Sequence, residues 1–128
     1  MKALNELGRH IIKPHFTDEV HPYIVRNNRN LPWFGQCVGA MNNTMMDAVV
    51  LASVPEAYRN RYGRVAQNVM CICNFDMKLI FVYSGWEGTV HDARIYLHAA
   101  SQGSAQFPWL PEGKYYLADS AFLCTRGI

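Results

Sequence analysis

Apolar and polar positions along the chain sort into a short series of elements. Leu4, Leu7, Ile11 and Ile12 recur at helical spacing, which predicts a helix that ends near Ile12, ahead of Pro14. Residues 13–36 mix Pro, Asn and His with isolated apolar side chains. They read as an irregular connection that pins the first helix to the domain through Tyr23, Ile24, Trp33 and Phe34. A buried strand follows over about Gln36–Met41, delivering Asn42 and Asn43 at its end. Beyond a polar, basic loop at 53–66, the β-rich runs QNVMCICNF and KLIFVYSGW flank Asp76 and Met77 and predict a tight hairpin. GTVHDARIYLHAA starts a helix that turns Ile95, Leu97 and Ala99 or Ala100 inward, with Thr89 and Asp92 spaced as in a capping box. KYYLADSAF supplies a last strand, Tyr115–Ala118, with Asp119 at its end. An antiparallel pair followed by a helical crossover to a further strand predicts a mixed sheet with helices packed on it.

Composition narrows the class without choosing a function. The 128 residues suit one domain, and a half-apolar composition argues against disorder over most of the length. A net charge of +2 does not argue for nucleic acid unless the cations cluster. No apolar run approaches the roughly 18 residues of a membrane span. The N-terminal MKALNELGRH has no apolar signal region, which implies an intracellular protein, and no compact Lys/Arg cluster announces nuclear import. Cys37, Cys71, Cys73 and Cys124 include no C-x-x-C pair, so zinc is disfavoured and the cysteines read as reduced core residues. There is no internal repeat and no linker.

Two acids stand at the ends of regular elements. Asp119 reads locally as a turn or N-cap residue, and Asp92 as a group that satisfies the first free N–H donors of a helix. Either is also placed to ligate a metal. Glycine-rich phosphate loops, G-x-S-x-G and H-E-x-x-H are absent. His91 and His98 read as surface or packing residues, and Glu87 as a solvated turn. In AYRNRYGR, Arg59, Arg61 and Arg64 interleave with Tyr58 and Tyr62. That pattern suits phosphates and stacked bases as well as it suits a solvated loop.

Four stretches, taken in order, resemble one family: CVGAMNNT, YRNRYGRVAQNVMCICNFDMKLIFVYSGWEG, HDARIY and EGKYYLADSAF. They are similar to the PIF/Harbinger DDE transposases and the nucleases domesticated from them. PYIVRNNRNLPWFGQCVGA resembles the lead-in to that family's catalytic core. The resemblance implies an RNase H-like α/β fold, a mixed sheet with flanking helices, truncated here after its fourth strand. It divides the chain into a helix and lead-in at 1–36 and a partial nuclease domain at 37–128. It also implies a nuclease that cuts DNA with divalent Mg²⁺ or Mn²⁺ held by carboxylates, because hard cations take oxygen ligands.

Carried over by residue, Asp92 and Asp119 match family metal-site and catalytic positions. The family's first aspartate, in a motif close to G-A-I-D-G-T-H, becomes Asn42 here, its glycine Asn43 and its histidine Met45. The family's last glutamate falls beyond Ile128, and the family's D-s-G-Y reads Asp119, Ser120, Ala121, Phe122. An amide oxygen brings no charge to offset or bridge cations, so the resemblance implies weakened metal binding and no appreciable cleavage. Asp47 is not expected to substitute. The resemblance further implies DNA as a weak or lost partner, a Myb-like DNA-binding protein as a second partner, a nuclear location with the cytoplasm left open, and no small-molecule cofactor. Three functions follow: a degenerate nuclease, a non-catalytic DNA- or protein-binding module, or an unselected mobile-element remnant.

Overall fold

A computed structural model describes residues 2–49, 56, 58–60, 62–101 and 107–122. It contains helix α1 (Lys2–Ile11), the single-turn helices α2 (Pro22–Val25) and α3 (Leu31–Phe34), strands β1 (Cys37–Asp47), β2 (Ala66–Cys73) and β3 (Leu79–Glu87), helix α4 (Asp92–Ser101) and strand β4 (Tyr115–Leu117). The sheet order is β3-β2-β1-β4. The first three strands are antiparallel, and β4 joins β1 in parallel after the α4 crossover. This is the mixed α/β sheet with flanking helices expected of an RNase H-like fold.

The hairpin between β2 and β3 is set by its own side chains. Asn74 Oδ1 accepts the backbone N–H groups of Asp76 and Lys78, at 3.1 and 3.0 Å, and Met77 takes a left-handed conformation at φ 61°. Short polar side chains that bond the backbone two residues on are turn formers for this reason. Gly39 has the opposite duty. A Cβ there would sit 2.1 Å from the Cys73 carbonyl oxygen, so only glycine lets β1 and β2 approach this closely.

One sheet face is covered, and the other is open over β1 and β4, while Val69 of β2 on that face is buried. Met41 on β1, Met70 and Ile72 on β2, Phe81 on β3 and Tyr116 on β4 pack with Ile95, Tyr96 and Ala99 of α4. Ile72, Met70 and Ile95 are fully buried, each contributing about 2 kcal/mol of transfer free energy. Tyr116 Oη donates to the Pro108 carbonyl at 3.0 Å, and burial raises its pKa well above the usual phenol range. On the other face Ala40, Asn42, Thr44 and Leu117 are exposed.

Several boundaries differ from the sequence reading. β1 does not stop at Asn42 but runs on to Asp47, because β2 pairs with it as far as Asp47↔Ala66. Leu97 is 48 % exposed, and Tyr96 takes the inward position. The helix begins at Asp92, with Arg94 N–H bonded to the His91 carbonyl, so Asp92 opens the helix instead of sitting third in a capping box. The lead-in is anchored by Ile24, which is buried, while Tyr23 and Trp33 are 65 % and 74 % exposed. Polar links complete the anchoring: His21 Nε2 to Asp76 at 3.1 Å, Lys114 Nζ to the Asp18 carbonyl at 3.4 Å, and Tyr115 Oη to the Trp33 carbonyl.

Candidate functional site

The parallel pairing of β1 with β4 sets the geometry of the site. Gly39 lies beside Tyr116 and Ala40 beside Leu117. Gly39 and Tyr116 are buried, whereas Ala40 and Leu117 are exposed. Side chains alternate along a strand, so two residues further each chain returns to the exposed face. Those residues are Asn42 on β1 and Asp119 just past β4, and both are exposed. Adjacent strands therefore bring these two positions to one face across more than seventy residues of intervening chain. Asn42 Oδ1 accepts the Asn43 backbone N–H at 2.8 Å. Asp119 Oδ1 accepts the Ala121 N–H at 2.8 Å, and its carbonyl takes the Phe122 N–H at 3.2 Å. Asp119 thus closes a local Asx turn, and Ala121 and Phe122 fit that turn, with the Phe122 ring buried against Tyr96.

Asp92 belongs to the other face. Its Oδ1 accepts two side-chain amides, Asn43 Nδ2 at 2.8 Å and Asn68 Nδ2 at 3.2 Å. Asn68 is completely buried and also donates to the Val90 carbonyl at 3.1 Å. These donations fix both amide orientations and leave Asn43 Oδ1 and Asn68 Oδ1 buried without a hydrogen-bond partner. The carboxylate at the start of α4 also meets the positive end of the helix dipole. Asp92 consequently ties α4 to β1 and β2, and one of its oxygens is already saturated by N–H donors.

The structure therefore bonds Asp92 to Asn43 and Asn68 and places Asn42 and Asp119 on one exposed face, and among the described residues no hydrogen-bonded link connects the two aspartates. Among the described residues no group of three or more His, Cys, Asp or Glu is arranged to hold a metal ion. Among the described residues the donor set does not fit a two-metal centre, since Asp119 is exposed without a neighbouring carboxylate from β1 and Asp92 is occupied by amides. Burial pushes the Cys37 and Cys71 thiols up, which keeps them protonated near neutral pH and suits their free, structural state.

Of the three loop arginines, Arg61 lies outside the described residues. Arg59 donates to the Gly63 carbonyl at 2.7 Å and pairs with Glu56 at 3.4 Å. Arg64 pairs with Asp47, whose carboxylate is thereby engaged at the far end of β1. Asn60, nearly buried, holds the loop by accepting the N–H groups of Tyr62 and Arg64. His98 packs as expected, with Nδ1 2.7 Å from Tyr83 Oη. The residues that sequence reasoning passed over are Asn43 in its Asp92-binding role and Asn68. Their signal was an amide inside an apolar strand run, which requires a buried partner.

With that geometry in place, the comparison with known families is informative. The four-stranded mixed sheet with flanking helices is consistent with an RNase H-like fold, and residues 50–128 match the family described as DDE superfamily endonuclease. The match covers more than half of the chain, and the chain belongs to that family. It includes Asn68, Asp92 and Asp119, and it begins after Asn42 and Asn43. No curated protein and no solved structure matches the chain. Among the described residues no helix is long and apolar enough to cross a membrane.

Proposed function

We propose that the chain is a nuclease domain of the PIF/Harbinger branch of the DDE endonucleases and that it does not cleave DNA. The observation that supports this reading is that Asn42 and Asp119 lie exposed on one face, each two residues beyond the last β1–β4 pair, Ala40 with Leu117. Where two carboxylates would together offset and bridge divalent cations, this face has one carboxylate and one neutral amide. Asp92 does not restore the balance, because Asn43 and Asn68 hold its Oδ1. Mg²⁺ or Mn²⁺ binding is correspondingly weak. The Harbinger assignment rests on the ordered stretches from CVGAMNNT to EGKYYLADSAF. A nuclear location and a Myb-like partner protein belong to the same reading.

A plasmid-nicking assay with Mn²⁺ or Mg²⁺ tests it directly. No nicking above background is expected. Nicking that disappears in Asp119→Ala would overturn the proposal. Asn42→Asp provides the complementary measurement: a second carboxylate beside Asp119 should make the melting temperature rise with Mn²⁺, a response the unaltered protein lacks.

A further inference from the structure

The far edge of the sheet carries a cleft that the nuclease chemistry does not use. It lies at the end of β3, two strands removed from Asn42 on β1, and has a volume of about 450 Å³. Four rings line it: Tyr58 from the loop, Tyr83 and Trp86 from β3, and His98 from α4. Three of these are held rigidly by one another. Tyr83 is hydrogen-bonded to His98 and stacks with it at 6.0 Å between centroids, and Trp86 meets His98 edge-on at 4.8 Å. Gly85, at φ 103° and with open space where a Cβ would be, turns the strand between Tyr83 and Trp86. One cation and one anion complete the lining, Arg94 of α4 and Glu87 at the end of β3, both exposed. Among the described residues Arg94 makes no side-chain hydrogen bond or ion pair, unlike Arg59 and Arg64, whose guanidinium groups are engaged.

We infer that this cleft binds an unpaired nucleobase of a single-stranded nucleic acid, with the base against the Trp86 and Tyr58 rings and its phosphate on Arg94. Rings that are pre-oriented by their neighbours lose little freedom on binding, and every base has a π-face to offer them. A guanidinium with no internal partner is available for a phosphate at no cost to the fold. Glu87 accepts from the edge of the base, which favours bases with an exocyclic amino group, cytosine above all. The recess admits a base only when that base is out of a duplex, so single strands are preferred over double strands. The cavity is also within the roughly 300–1,000 Å³ of ordinary ligand sites.

The test is a titration of the full chain with an oligo(dC) strand at low salt, reading quenching of tryptophan fluorescence, beside a duplex of the same length. Quenching by the single strand, weaker binding of the duplex, and a loss of about tenfold in affinity for Trp86→Leu are expected. Arg94→Gln, at an exposed position, leaves the melting temperature unchanged and lowers the slope of log affinity against log salt by about 0.7. Trp33→Leu, outside the cleft, leaves affinity unchanged. Duplex binding as tight as single-strand binding, an unaltered affinity in both Trp86→Leu and Arg94→Gln, or no quenching at all would overturn the inference. If Trp86→Leu unfolds, Arg94→Gln alone decides.

Discussion

Asp92 and Asp119 are alike in chemistry and each stands at the end of a regular element, yet the two sides of the sheet give them different work. Asp92 sits where α4 meets the covered face, is half-buried, and is held by the amides of Asn43 and Asn68. Asp119 stands on the open face and, among the described residues, its carboxylate bonds to the backbone N–H two residues away. A carboxylate held by fixed donors becomes a structural joint, and its removal takes an acceptor from each of them. One that faces solvent keeps its charge available and supports little beyond its own turn. Whether an acid in a nuclease fold ligates metal is therefore decided by its neighbours as much as by its place in a motif.

The contrast can be broken by mutation. Asp92→Ala should have the largest effect, a loss of about 2 kcal/mol, because it leaves the half-buried Asn43 amide without its acceptor and Asn68 with the Val90 carbonyl alone. A chemical-denaturation midpoint within error of the parent would mean that the joint does not exist. High pH probes the covered face next. Burial raises the Tyr116 pKa in the folded chain, so the native state keeps a proton that the unfolded chain gives up. Its stabilisation is complete below the unfolded phenol pKa of about 10 and is lost as pH rises beyond it. Tyr116→Phe should remove that part of the alkaline fall in stability, measured by melting temperature against pH. The smallest effect belongs to Asp119→Ala, under about 0.5 kcal/mol for an exposed turn. A loss comparable to that of Asp92→Ala would erase the distinction between the faces.

Much of this architecture was legible in the residues. QNVMCICNF and KLIFVYSGW are β-rich runs that flank Asp76 and Met77 and so announce a hairpin, and the helix and last strand lie within a few positions of their expected bounds. The fuller extent of β1 was not. Asn42–Asp47 is polar with two exposed methionines, and only its pairing to Ala66–Cys71 makes it a strand. The capping-box reading failed for a related reason, since the Asp92 side chain turns to the amides of distant strands and not to its own helix. Asn43 and Asn68 meet there through tertiary packing that no local spacing encodes. Asp119 at the end of the last strand, by contrast, was visible from its flanking residues alone.

The length of β1 has one more result. β4 accompanies it only from Cys37 to Ala40, so among the described residues the margin of β1 beyond Ala40 carries backbone N–H and C=O groups with no ladder partner on that side. Such a margin, bordered by the exposed Met45 and Met46, is a template on which another molecule's backbone can lay down a strand. Concentrated solutions of this protein should accordingly self-associate through main-chain contacts, with the charged Asp47–Arg64 pair at the strand tip as the main local brake.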